Sequence, residues 1–224
     1  MLQNRVDPSG NIIKTSARGA WMGNRGLLHD AHQNLQRPFR LKAWIICLLE
    51  FKGRKRPVMA PGQYTELFFL DEATALSAGH RPCFECRRAD AVRWKRAWLK
   101  GNPEYNFTER TPIGQIDEIL HKERIDDSKL GVNALSAKVI YEEALASLPN
   151  GVFILYEGLT YLVNNKMIYP WSPSGYGEGV DLAALPASPA SMDAPTAQTV
   201  KVLTPKSIVN AIRADYTPHI KMPA

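Results

Sequence analysis

With 224 residues, 45% hydrophobic and 22% charged, the chain can form one large domain or two small ones, and its balance excludes a disordered or collagen-like chain. Three Cys are too few for a disulfide scaffold, the apolar run from Ala43 to Leu49 is far short of the ~20 residues of a membrane span, and the N-terminus has no apolar core behind a basic head, so a cytoplasmic protein away from membranes is expected. The net charge of +6 is uneven: residues 1–100 hold 18 Lys and Arg against 8 Asp and Glu, residues 101–224 hold 10 against 14, and such a basic first half attracts polyanions, nucleic acid or an anionic membrane surface.

Residues 1–40 read mostly as loop, because Gly19, Gly23 and Gly26 recur where a helix would be interrupted. A strand is predicted over 41–51, ending in a basic turn with Lys52, Arg54, Lys55 and Arg56, and a second over 64–70. Asp71 is a good N-cap for a short helix that Gly79 closes. A longer helix over 85–100 stops at Gly101-Asn102-Pro103, and within it Trp94 and Trp98 share a face at core-like spacing. Two more helices fit 112–123 and 133–147.

After Leu148-Pro149-Asn150-Gly151 the pattern changes to strands, with a hairpin over 152–156 and 160–163 and a third strand over 167–169. A Pro-, Ala- and Ser-rich stretch over 182–197 reads as linker or loop. A strand over 200–203 then leads into a helix with Thr204 as N-cap and Pro205 first inside. The expected class is α+β, with a basic N-terminal part over 1–125, a helical connector over 126–150 and a small antiparallel β-rich part over 151–224.

Pro82-Cys83-Phe84-Glu85-Cys86 carries the clearest chemistry. Two thiolates two residues apart can chelate one tetrahedral metal ion, usually zinc, and a structural site needs four ligands. His29, His32 and Cys47 are candidates to complete the set. Cys47, between Ile46 and Leu48, also reads as a small buried hydrophobe, and His32 as a solvated loop residue.

The run Phe68-Phe69-Leu70-Asp71-Glu72-Ala73-Thr74-Ala75-Leu76-Ser77-Ala78-Gly79-His80-Arg81-Pro82-Cys83-Phe84-Glu85-Cys86-Arg87 resembles the second half of the metal-binding domain of Ada-type DNA-alkylation-repair proteins. The chain as a whole resembles bacterial proteins in which this segment is embedded. The resemblance implies an Ada-like ββα module, either zinc-binding with Cys83 and Cys86 as ligands or zinc-free, with a surface suited to DNA contact. In that family four Cys bind zinc, and one of the earlier pair accepts a methyl group. That pair would fall near residues 52–61, which hold no Cys, so methyl-acceptor activity is not implied.

Other chemistries compete for the same residues. Zinc deaminases require H-x-E before P-C-x-x-C, and the chain's one H-x-E, His121-Lys122-Glu123, lies downstream of it. A redox dithiol would draw on Arg81, Arg87 and Arg88 to lower the thiol pKa, but the motif follows a helix rather than a strand. His29 and Asp30, after Gly23-Asn24-Arg25-Gly26, could serve a metal-dependent nuclease or other phosphodiester-acting enzyme. Lys52, Arg54, Lys55, Arg56, Arg87, Arg88, Arg93 and Arg96 could meet a phosphate backbone. A protein–protein module is the third alternative, and the aromatic residues of 169–177 suit either a contact surface or a cover for the small sheet. The leading expectation is a zinc-binding, nucleic-acid-associated protein without methyl-acceptor activity.

Overall fold

Asp7 closes the first hairpin: its carboxylate accepts hydrogen bonds from the backbone and side-chain nitrogens of Asn11, both at 2.9 Å, and Gly10 takes a φ of +93°. The computed structural model describes residues 1–54, 57–129, 137–184 and 198–222. Lys55, Arg56, residues 133–136 and most of the 182–197 stretch lie outside those residues. β1 (Gln3–Val6), β2 (Ile12–Lys14) and β3 (Trp21–Asn24) occupy a region expected to be loop. Strands of three or four residues are too short to show a two-residue period.

These strands join β4 (Ile45–Cys47), β5 (Leu67–Phe69) and β6 (Arg81–Pro82) in a six-stranded sheet of order β2-β1-β5-β3-β4-β6. The strands expected over 41–51 and 64–70 thus shrink to three residues each, and β3 lies between them. β3 and β4 approach closely at Gly23, where an added Cβ would stand 2.2 Å from Ile45 O. A side chain is excluded there.

Between β5 and β6 lies α1 (Glu72–Ser77), capped as expected: Asp71 accepts from Thr74 N at 2.8 Å, and Gly79 leaves the helix with φ +86°. α2 (Arg88–Gly101) buries Trp94 and Trp98, the expected core face. α3 (Ile113–Arg124) follows.

The helix expected over 133–147 is not formed by its described residues: β7 (Tyr141–Ala144) and a 3-10 turn over Leu145–Ser147 stand there. Tyr141 and Glu143 are paired along a neighbouring strand, and this long-range ladder overrides the local helix preference of Glu and Ala. A second sheet contains β8 (Phe153–Tyr156), β9 (Leu159–Asn164), β10 (Met167–Ser172), β11 (Gly175–Tyr176), β12 (Val180–Asp181) and β13 (Thr199–Val202). Its path is β11-β10-β9-β8-β13-β7, with β12 also on β10. The expected 152–163 hairpin and its third strand are β8, β9 and β10.

α4 (Lys206–Arg213) packs on α2 so closely that a Cβ on Gly101 would lie 2.3 Å from Asn210 O. Its cap differs from expectation. Pro205 holds the N-cap position, and the Thr204 hydroxyl instead accepts from Phe153 N at 2.9 Å. The Glu123 carboxylate of α3 accepts from Ser207 N (3.1 Å) and Ser207 Oγ (2.6 Å), supplying the cap that Thr204 does not. One apolar core runs from Val6 through Trp94 and Trp98 to Val202, Ile208 and Tyr216, with residues from both sides of the 126–150 segment. Among the described residues no helix is long and apolar enough to cross a membrane.

Candidate metal centre

β4 and β6 run parallel, pairing Ile45 with Arg81 and Ile46 with Pro82. The next residue on each strand is a cysteine. Cys83 N donates to Ile46 O at 2.9 Å, which keeps the two strands in register as far as Cys47 and Cys83. The chain then turns, and Cys86 follows just before the N-cap of α2. The sulfurs of Cys47, Cys83 and Cys86 all lie within 4.8 Å of one another.

A tetrahedral zinc ion with Zn–S of about 2.3 Å places its sulfurs about 3.8 Å apart, so the cluster has the dimensions of a metal site. Cys47 and Cys83 are buried and Cys86 is half-buried. The electrostatics favour one thiolate among the three. The Cys47 thiol donating to it, with backbone N–H groups of Cys86 and Glu85, holds Cys83 down. The same Cys83 hydrogen bond, together with burial, pushes Cys47 up. Burial raises Cys86, against a backbone hydrogen bond from Leu48. A divalent cation would relieve this competition by taking all three as thiolates.

Cys47 therefore joins the expected pair, and the two histidines do not. His29 is buried with both ring nitrogens engaged, Nδ1 with Thr65 Oγ1 at 2.6 Å and Nε2 with Ala60 O at 3.2 Å. His32 is exposed and its backbone N donates to Asp30. Asp30 spends its carboxylate on the local turn, accepting from His32 N and Asn34 N at 2.9 Å each and from Gln36 Nε2, and these bonds, Asn34 first, lower its pKa. The side chains of His29 and Asp30 are thus both hydrogen-bonded to neighbouring loop groups. Among the described residues no fourth His, Cys, Asp or Glu joins the three sulfurs.

The basic candidates fall into two groups. Arg54 pairs with Glu85 inside the Cys-x-x-Cys turn, which brings the loop holding Lys52 and Arg54 against the cluster, and Arg88 is exposed. Arg87 is not available to a phosphate: it is buried against Glu72 and Asp90, both 2.8 Å away, with its guanidinium over the Trp21 ring. Arg93 pairs with Asp90 and Arg96 with Glu109. Lys55 and Arg56 lie outside the described residues. In the 169–177 region, Tyr176 is an anchor, its hydroxyl donating to Asp71 at 2.6 Å.

The sequence signal for Cys47 is weak because its place beside Cys83 depends on a parallel pairing across thirty-six residues. No protein-family model, no curated protein and no solved structure matches the chain.

Proposed function

We propose that the protein is a zinc-binding protein whose ion is held by Cys47, Cys83 and Cys86, in a structural centre that meets nucleic acid through the adjoining basic loop. The observation that carries this reading is the convergence of three sulfurs from two strands and a turn. Zinc is the natural occupant of a soft, all-thiolate site with tetrahedral spacing. Held there, it would crosslink β4, β6 and the start of α2. The centre is read as structural because Cys47 and Cys83 are each only 7% exposed; the three thiolates supply three of the four tetrahedral positions, and among the described residues no His, Cys, Asp or Glu supplies the fourth.

Partner binding rests on charge. Lys52 and Arg54 project from the loop beside the cluster, and Arg88 lies exposed just after it. Contacts of this kind position a phosphate backbone without reading its sequence.

The test is elemental analysis of the untagged chain expressed with added zinc and purified without chelator, beside Cys83→Ser/Cys86→Ser. One zinc per chain, lost in the variant, is expected; no zinc in the wild type overturns the reading. Fluorescence anisotropy with a DNA duplex across a salt series tests the partner: affinity that falls steeply with salt and weakens in Lys52→Ala/Arg54→Ala is expected, and no binding at low salt rejects it.

A further inference from the structure

Away from the cysteines, a cavity of about 230 Å³ lies between the β1–β2 turn, the loop leading to β4 and the end of α3. Its polar lining includes four cations, the exposed Arg37 and the more enclosed Arg25, Arg124 and Lys138, and its walls include Trp44, Ile12 and Leu35. Arg25 and Arg124 are each 1% exposed. Both guanidinium groups lie over the Trp44 ring, 3.8 and 3.9 Å from its centroid.

Buried arginines elsewhere in the protein have carboxylates. Arg81 makes a two-pronged pair with Asp117 at 2.7 Å, and Arg87 has Glu72 and Asp90. Among the described residues, Arg25, Arg124 and Lys138 form no ion pair. Arg25 donates to Gly10 O and to His80 Nε2, and its Nη2 has no partner. Arg124 donates to Gly79 O and Lys42 O, and its Nε has none. Lys138 Nζ donates to Ser77 O at 2.7 Å, which leaves two further N–H groups.

The nearby acids are committed. Asp7 acts on Arg25 and Lys138, but Asn11 occupies both its oxygens. Asp117 and Glu118 act on Arg124 while paired with Arg81 and Lys42. Burial accordingly pushes Arg25 down to about 9 and Lys138 down to about 7, and Arg124 falls as well. Buried charge without a counter-ion is costly, and an anion in the cavity would remove that cost from all three groups.

We propose that this cavity binds a small organic anion, a carboxylate or phosphate group on a compact apolar body, with Arg25 Nη2 and Lys138 Nζ meeting the anionic group and Trp44, Ile12 and Leu35 enclosing the body. The volume falls below the ~300 Å³ at which drug-sized pockets begin, so the ligand is no larger than a single-ring acid. The site stands apart from the zinc reading and shares no residue with it.

The experiment is calorimetric titration of the full chain with benzoate, phenyl phosphate and inorganic phosphate, with benzamide as the neutral control. Lys138→Gln is the principal variant, because Gln can still donate to Ser77 O while the charge is gone; Arg25→Met is the second. Saturable binding of benzoate or phenyl phosphate, weakened roughly tenfold or more in Lys138→Gln, is expected, with the anion-free variant at least as thermally stable as wild type. Preference between the two organic anions identifies the headgroup. Benzamide binding as tightly as benzoate, organic-anion binding unchanged in Lys138→Gln, or no saturation by any probe at millimolar concentration overturns the proposal. Inorganic phosphate binding as tightly as phenyl phosphate overturns the role of the apolar wall.

Discussion

Arg87 Nη2 lies 2.8 Å from Glu72 Oε1, with the two side chains 3% and 2% exposed. The same Glu72 oxygen accepts from the Tyr216 hydroxyl at 2.7 Å, and the second accepts from His219 N at 2.9 Å. One carboxylate in the first turn of α1 thereby ties the start of α2 to the C-terminal segment. Removing Arg87 leaves that carboxylate buried without its cation. Arg87→Ala is expected to lose about 3–5 kcal/mol in urea unfolding. Arg88→Ala, at an exposed position, should stay within about 0.5 kcal/mol of wild type. Equal stability of the two variants would contradict the pairing.

The metal set gives a sharper contrast. Cys47→Ser is expected to weaken zinc binding at least tenfold in competition with a chromophoric chelator, while His29→Ala retains the full zinc content. His29→Ala should instead cost about 1–3 kcal/mol of stability, because Thr65 and the Ala60 carbonyl lose a buried partner. Zinc loss in His29→Ala with retention in Cys47→Ser would reverse the ligand assignment.

What the sequence made legible was local. Asp71 and Gly79 bracket α1 through capping chemistry carried in their own residue types, and Trp94 and Trp98 follow helical periodicity into the core. The β8–β10 meander was legible because Glu157-Gly158 and Asn165-Lys166 supply left-handed turn residues between apolar runs. Long-range pairing was not legible. Cys47 becomes a candidate ligand only because β4 lies beside β6, and residues 141–144 are strand only because β13 runs alongside them. The buried arginines were the deepest miss: Arg25, Arg81 and Arg87 count toward the charge of the basic first half and Arg124 draws no reading, whereas in the fold Arg81 and Arg87 meet carboxylates 3 to 36 residues away and Arg25 and Arg124 rest on carbonyl oxygens and the Trp44 ring.

Gly23 tests how tightly the first sheet positions the cysteines. Met22 pairs with Cys47 and Gly23 with Ile46 across the β3–β4 ladder, so a side chain at 23 pushes on the strand that carries Cys47. Gly23→Ala is expected to cost about 1–3 kcal/mol through overpacking and to weaken zinc binding at the same time. Gly53→Ala, at an open position with φ +64°, should lose some stability through strain while its zinc affinity holds. Unchanged zinc affinity in Gly23→Ala would separate the β3–β4 contact from the metal centre.

Lys138 predicts a pH dependence with a definite sign. In the folded chain its ammonium loses its proton near pH 7, against a reference value of 10.5, because burial outweighs Asp7, and Arg25 and Arg124 repel it; His80, on the same side, is held neutral by burial and the same arginines. Between about pH 7 and 10.5 the unfolded chain therefore binds more protons at this site than the folded one. Its contribution to stability must rise with pH across that window, at up to about 1.4 kcal/mol per pH unit. Below pH 7 both states carry the charge and the full burial cost remains; above 10.5 neither does. Lys138→Gln lacks this dependence, so in anion-free buffer the variant should be the more stable protein at pH 7, and its advantage should shrink as the pH approaches 10. The phenols of Tyr141, Tyr176 and Tyr216, raised by burial, oppose the trend at high pH but are common to both proteins and cancel in the difference. Urea unfolding of the pair at several pH values measures that difference, and a gap that stays constant between pH 7 and 10 would show that Lys138 keeps its proton in the folded chain across that range.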